Sequence, residues 1–173
     1  PNARLRLAGD GPVRRDLERL AERLGIADHV EFLGVRTDVD QLLIDADLLV
    51  LASYAVECFP YAVLEAMAAG RGVVATSVAG LPELVDDRVT GRLVAPQDPS
   101  ALSASIVEGL ADGASAATGW GAAGHRRAAA VFPVETWAVR VNELLIDVAG
   151  APADPLTGHE PAPHQILTPT RKS

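Results

Sequence analysis

Cysteine is almost absent from this chain: Cys58 is the one cysteine in 173 residues. An internal disulfide is therefore excluded, and such usage fits a reducing compartment. Aromatic residues are scarce as well, at 4% of the chain against 49% hydrophobic residues in all, so the core has to be aliphatic. No apolar run approaches the roughly 20 residues that cross a bilayer, and no signal-like leader opens the sequence. Positive charge is the minority sign, with 15 Lys and Arg against 23 Asp and Glu and a formal net charge of -8. That balance argues against nucleic acid or an anionic membrane surface as the partner of this segment. No cluster of His, Cys, Asp and Glu has metal-ligand spacing, and no internal repeat is found. The sequence begins at Pro1 without an initiator methionine and reads as a piece of something longer. Its length suits one domain, burying about two-thirds of its surface.

What is present is a rhythm of short apolar runs and helical patterns. Arg4 to Ala8 alternates like a strand, and Gly9-Asp10-Gly11-Pro12 turns it into a helix whose Val13, Leu17, Leu20 and Leu24 follow a 3.6-residue period up to Gly25. Gly9 and Gly11 start a dinucleotide-type pattern, but Arg14 stands where its third glycine belongs, so GDGP is read as a tight turn and cap. His29 to Gly34 reads as a strand, Asp38 as the cap of a short helix through Ala46, and Leu48 to Ala52 as a parallel strand buried on both faces. Further strands are expected over Gly72–Thr76 and Arg92–Val94, with a helical turn at Pro82–Val85 between them. Helices are expected over Pro99–Ala111 and Ala116–Phe132, and a last amphipathic helix after Pro133 carries Trp137, Val141, Leu144, Leu145 and Val148. Alternation of this kind predicts a Rossmann-like α/β fold, a parallel sheet with helices on both faces. From Gly150 onward five prolines stand among small and polar residues without apolar period, which predicts a disordered tail over 150–173.

The stretch Glu57 to Gly70, ECFPYAVLEAMAAG, carries the chemistry. Pro60 suits the first position of a helix and Gly70 its end, which puts Glu57 at the exit of the preceding strand and Glu65 one to two turns into the helix. The helical neighbours of Glu65 are all apolar, so its carboxylate either faces solvent or accepts hydrogen bonds from something polar such as ligand hydroxyls. Free N–H groups of the first turn, at the positive end of the helix dipole, suit a phosphate. Taken singly, Glu57 also reads as a dipole-complementing residue and Glu65 as a solvated one. In parallel sheets ligands bind beyond the carboxyl ends of the strands, which is where Glu57 falls.

Two glutamates separated by seven residues, with Phe59, Leu64, Ala66, Met67, Gly70, Val73, Thr76, Gly80, Pro82, Glu83, Thr90, Gly91 and Pro96 at fixed distances around them, resemble the signature of family-4 retaining glycosyltransferases of the GT-B fold. The resemblance covers their C-terminal, donor-binding half from about Leu5 to about Asp147. It implies half of a GT-B fold, with residues 1–149 forming a nucleotide-sugar-binding domain that lacks its first strand and helix, the segment that carries a diphosphate-neutralising Arg and Lys. It implies a nucleoside diphosphate sugar as donor and no cofactor or metal. Glu65 would bind the ribose hydroxyls, Glu57 would lie beside the transferred sugar, and the amides of Cys58 and Phe59 would face that sugar. Backbone at Gly34 and Val35 would border the base. The intact protein would transfer the sugar with retained anomeric configuration to an acceptor the sequence leaves unnamed, together with a separate N-terminal domain. Its expected location is cytoplasmic, peripheral to the membrane only through that domain.

Two other classes remain open at this level. A nucleotide-binding module without transfer activity would keep Glu65 and not need Glu57. A cysteine-dependent hydrolase would use Cys58 near a helix start, with one of the four histidines as base. Cys58 reads more simply as a small filler beside Phe59, and His29 and His125 as solvated surface residues.

Overall fold

The computed structural model describes residues 3–55, 57–111 and 115–149. The expected tail at 150–173 lies outside them. The chain divides into one compact unit ending at Val131 and a second beginning at Phe132. In the first unit β1 (Leu5–Ala8) leads through α1 (Arg14–Arg23) and a 3-10 turn at Ala27–His29 to β2 (Val30–Gly34) and α2 (Val39–Ile44). There follow β3 (Leu48–Leu51), α3 (Tyr61–Ala68), β4 (Gly72–Thr76), α4 (Leu81–Leu84), β5 (Gly91–Val94), α5 (Pro99–Leu110) and α6 (Ser115–Val131). The second unit holds α7 (Val134–Ala149), where Val139, Leu144, Leu145 and Ile146 are exposed.

All strand pairs are parallel, as the alternation of elements requires, but the sheet comes in two pieces. β1 pairs with β2, while β3, β4 and β5 form a separate three-stranded sheet with β4 in the middle. Leu48 faces Gly72 and Leu51 faces Ala75 on one side of β4, and Val73 faces Gly91 and Thr76 faces Val94 on the other. Every residue of β4 is buried. Helices α3, α5 and α6 all pack against it. Parallel strands with both faces covered read as continuous apolar runs, and Gly-Val-Val-Ala-Thr is such a run. β3, expected to be equally enclosed, is only half-buried along its length, because it forms the open edge of its sheet.

The core is aliphatic, as the shortage of aromatics demands. Val63, Ala66 and Met67 from α3, Val73, Val74 and Ala75 from β4, and Leu81 and Leu84 from α4 are fully removed from solvent. Trp120 of α6 is the one aromatic among the buried hydrophobic residues described. Helix α3 ends in a Schellman arrangement: Gly70 at φ +69 donates its N–H to the Met67 carbonyl and Arg71 donates to the Ala66 carbonyl. Only glycine takes that φ without strain, so Gly70 is where the helix has to stop.

Two local expectations are corrected, and one helix face is found uncovered. Pro60 does not begin α3 but precedes it, at ψ 109 and extended, with its carbonyl accepting from the Val63 N–H. Asp38 occupies the position before α2, yet its carboxylate caps nothing, because Arg36 takes it from two positions upstream. The periodic face of α1 is not a core face: Val13 is 57% exposed, Leu17 41% and Leu24 61%, and Ala21 is the buried residue of that helix. Leu5 of β1 is 47% exposed as well. A two-stranded sheet is too narrow to cover an amphipathic helix.

The two halves of the first unit should respond differently to truncation. Leu81→Ala, at a fully buried site, is expected to cost about 2–5 kcal/mol, whereas Leu20→Ala, on the uncovered face of α1, should stay within about 0.5–1 kcal/mol. Urea denaturation of the 173-residue chain measures both, and equal losses would contradict this placement of the core.

Candidate functional site

Three loops leave the carboxyl ends of β3, β4 and β5 side by side, because those strands are paired in register. Glu57 lies on the first, half-buried, between the end of β3 and the start of α3. Its carboxylate is held: the Ser53 hydroxyl donates to Oε1 at 2.7 Å. Ser53 is held in turn, since Thr76, the last residue of β4 and 4% exposed, donates its hydroxyl to the Ser53 carbonyl. The Gly80 N–H, from the loop after β4, donates to the Glu57 carbonyl at 3.2 Å.

Gly80 is glycine because of closeness, not conformation. Its φ of -77 is open to any residue, but a Cβ there would lie 2.1 Å from the Cys58 carbonyl oxygen. The obstacle is backbone, which cannot rotate aside as a side chain would. The loops after β3 and β4 are thereby pressed together at Glu57 and Cys58.

Cys58 and Phe59 follow on the same loop, both exposed. The Phe59 ring meets Tyr61 edge-on, with centroids 6.4 Å apart and planes at 86°. Glu65 lies in the second turn of α3 and is exposed. Its exposed carboxylate is open to solvent or to a polar ligand. Gly34 and Val35 lie in the other sheet, at the carboxyl end of β2. Gly34 has φ +66, its carbonyl accepts from the Gly9 N–H at 2.7 Å, and Val35 is 80% exposed. The structure thus brings Glu57, Cys58 and Phe59 together on one loop with Glu65 on the helix it enters, and leaves Gly34 and Val35 at the end of a different sheet.

Arg14, in the place of the missing third glycine, organises that second region. It donates to Glu18, Asp10 and the Phe32 carbonyl, and its guanidinium lies 5.9 Å from the centre of the Phe32 ring. The hydrogen bond to Glu18, ahead of the Coulombic pull of Asp10 and Glu18, raises its pKa further above the usual arginine value. Nearby, Arg36 holds the Asp38 carboxyl below its usual range by hydrogen bonding. Neither described histidine bonds Cys58: His29 sits exposed in the 3-10 turn, and His125 Nδ1 is 2.7 Å from the Ala68 carbonyl. Among the described residues no three His, Cys, Asp or Glu gather around a common point. Among the described residues no helix is long and apolar enough to cross a membrane.

Sequence reasoning overlooked the work of Ser53 and Thr76, and it saw Gly80 only as a matching residue. It also overlooked a cavity of about 270 Å³ between the loops after β3 and β5 and the start of α5, lined by Ala52, Tyr54, Thr76, Ala95, Asp98 and Leu102. The one legible signal there was Asp98-Pro99, a cap followed by a first-turn proline, and the Asp98 carboxylate does accept from the Ala101 N–H at 2.8 Å.

Residues 1–112 match the family of glycosyl transferases group 1, and the chain belongs to that family. It is 37% identical over 150 residues to the D-inositol 3-phosphate glycosyltransferase of Mycobacterium ulcerans, a match that spans 85% of this chain and 32% of that protein. It is 37% identical over 111 residues to the N-acetyl-alpha-D-glucosaminyl L-malate synthase of Bacillus anthracis, covering 64% of this chain and 29% of that one. Among solved structures it resembles Anabaena HepE, crystallised in complex with UDP, at a TM-score of 0.78 and 30% identity, over 85% of this chain and 42% of that one. The chain therefore spans about a third of the length of these curated relatives. Its fold is the Rossmann-like α/β arrangement of a GT-B half.

The tight approach at Gly80 makes a prediction. Gly80→Ala should displace the Cys58 peptide, cost about 1–3 kcal/mol as overpacked sites do, and shift the backbone amide resonances of Ser53, Glu57 and Cys58. An unchanged Cys58 resonance and denaturation midpoint would show that the approach is looser than described.

Proposed function

We propose that the protein carrying this chain transfers a sugar from a nucleoside diphosphate sugar to an acceptor with retention of anomeric configuration, and that this chain supplies the donor-binding half. The observation that carries the reading is Glu57, a half-buried carboxylate clamped beyond the carboxyl end of β3, in a chain of glycosyltransferase family. One 30%-identical neighbour has been crystallised in complex with UDP and with UDP-glucose, which supports a nucleotide-sugar donor here. In the reaction the bond from the anomeric carbon to the diphosphate breaks and one to the acceptor oxygen forms on the same face. The nucleoside diphosphate leaves with the electron pair, and the acceptor hydroxyl gives up its proton.

In this reading Glu65 accepts hydrogen bonds from the two ribose hydroxyls. Its exposure and the lack of a described partner support that role, since a charged acceptor with open lone pairs is what a diol needs. Glu57 holds the hydroxyls of the transferred sugar, the amides of Cys58 and Phe59 face the same sugar, and the first-turn amides of α3 help with the diphosphate. Gly34 and Val35 border the base. Exposed Val35 after a left-handed Gly34 offers an apolar surface for that purpose.

Residues 1–149 act as a partial domain whose first strand and helix lie outside it. The split between the two sheets and the uncovered apolar faces of β1 and α1 support this. Another parallel strand with its helix would supply the missing cover, because strands of parallel sheets are normally enclosed on both faces. The same segment would carry the cations that neutralise the diphosphate. A further domain would bring the acceptor, and the working location is cytoplasmic.

Transfer by the full-length protein should be insensitive to chelators and should give a product of retained configuration by NMR. Residues 1–173 alone should give none, because the positioning that makes transfer fast contributes roughly 7–11 kcal/mol where fully realised. An inverted product overturns the retaining reading, and transfer by the 173-residue chain overturns the partial-domain reading.

Glu65→Ala should weaken nucleoside diphosphate binding by about ten-fold to several hundred-fold, from the loss of hydrogen bonds to a charged group worth roughly 1.5–3 kcal/mol each. Glu57→Ala should reduce turnover more than nucleotide affinity. Calorimetric titration beside steady-state kinetics separates the two. Unchanged nucleotide affinity in folded Glu65→Ala removes the ribose assignment, and a Glu57→Ala protein that turns over normally removes the sugar-holding role of Glu57.

A further inference from the structure

A glutamate side chain has three rotatable bonds, and a flexible carboxylate beside a reacting sugar would spend most of its time aimed elsewhere. Glu57 is not left free. The Gly80 N–H fixes its backbone from the β4 side at 3.2 Å, and the Ser53 hydroxyl grips carboxylate Oε1 at 2.7 Å. An O–H bond to a carboxylate oxygen at that length is charge-assisted, of the strong class. Ser53 is itself anchored to the buried end of β4, because Thr76 donates its hydroxyl to the Ser53 carbonyl. Thr76 has no freedom to follow the loop: it lies in register opposite Val94, with both neighbouring strands formed. The chain of contacts therefore runs from the most buried strand of the unit, through Thr76 and Ser53, to one oxygen of Glu57.

Ser53 fills one lone-pair position on Oε1. A carboxylate has about four such positions over its two oxygens, so Oε2 is left whole for a ligand.

We propose that Ser53, anchored by Thr76, is a positioning residue that aims the Glu57 carboxylate at the transferred sugar. The inference rests on the reading of Glu57 given under Proposed function and adds the group through which that carboxylate is oriented. Ser53 does not touch the substrate. Its hydroxyl determines which way the carboxylate oxygens face, and the sugar meets a pre-set acceptor instead of a rotor.

The test uses the full-length protein and two probe pairs, UDP with UDP-glucose and GDP with GDP-mannose, titrated by calorimetry. The pair that binds wild-type protein is carried through the variants. The ratio of the two dissociation constants within a pair isolates what the sugar contributes and cancels general damage to the nucleotide site. Glu57→Ala should change that ratio by about ten-fold or more, and Ser53→Ala by about three- to ten-fold, in line with loss of one charge-assisted hydrogen bond in whole or in part. Nucleoside diphosphate affinity should stay within about two-fold of wild type in both. Ser53→Thr, which restores a hydroxyl at the same place, should return the ratio to within about two-fold. Ser53→Ala added to Glu57→Ala should change nothing further, because the residue it orients is gone.

A wild-type ratio in Ser53→Ala overturns this inference alone, as does a Ser53→Ala effect that persists in the Glu57→Ala background. So does loss of nucleotide affinity in Ser53→Ala that Ser53→Thr fails to rescue, which would mark Ser53 as merely structural. A wild-type ratio in Glu57→Ala overturns the sugar-binding role of Glu57, and this inference with it. Binding of neither pair by wild-type protein overturns the donor reading for these nucleotides and, again, what rests on it.

Discussion

Five consecutive residues, Gly72 to Thr76, are removed from solvent on both faces of a sheet, and the rest of the first unit is arranged by that burial. Each buried Val side chain in β4 contributes about 1.5–3 kcal/mol through the hydrophobic effect, but only if strands lie on both sides and helices above and below. β3 and β5 supply the edges, and α3, α5 and α6 supply the covers. Once β4 is enclosed in this way, the carboxyl ends of three strands lie together in space. The loop bearing Glu57 is therefore carried by the most firmly packed part of the chain, although the loop itself is half-exposed.

The site inherits rigidity through contacts that are few and specific. Thr76 joins the core to the loop by a hydroxyl, Gly80 by a backbone N–H and by having no side chain to intrude. A polar group at the edge of a core must find a partner, because a buried unsatisfied donor costs about 1–3 kcal/mol. The partner Thr76 finds is the Ser53 carbonyl. One chain of bonds satisfies a buried hydroxyl and holds a half-buried carboxylate. The N-terminal part of the unit is built on other terms. There Arg14 gathers Asp10, Glu18 and the Phe32 carbonyl around itself, and a polar knot with little apolar burial holds two strands and a helix whose hydrophobic face is open.

Much of this was legible in the residues. Apolar runs bounded by turn signals gave β1 to β5 nearly to their ends, and the aromatic shortage gave an aliphatic core. Gly70 marked the end of α3, because a left-handed φ leaves few alternatives. The glutamate spacing and its flanks pointed to a glycosyltransferase, and the chain belongs to that family. The exposure of α1 was not legible: periodicity reports which residues share a face, not whether anything covers it. Nor was the engagement of Asp38 with Arg36, since a cap and an ion pair compete for the same carboxylate with nothing local to decide between them.

What the sequence determined by itself is therefore what depends on neighbours along the chain: the type and order of the elements, the parallel sense of the strands, the position of Glu57 at a strand exit and of Glu65 inside the following helix. What tertiary structure alone decided is what depends on residues distant along the chain and adjacent in space. Thr76 is 23 residues from Ser53, and the Gly80 backbone lies on the Cys58 carbonyl from the far end of another strand. No periodicity or local propensity encodes such a meeting. It follows only from pairing β3 with β4 in one register, and a shift of one residue would turn the Thr76 hydroxyl to the opposite face of the sheet.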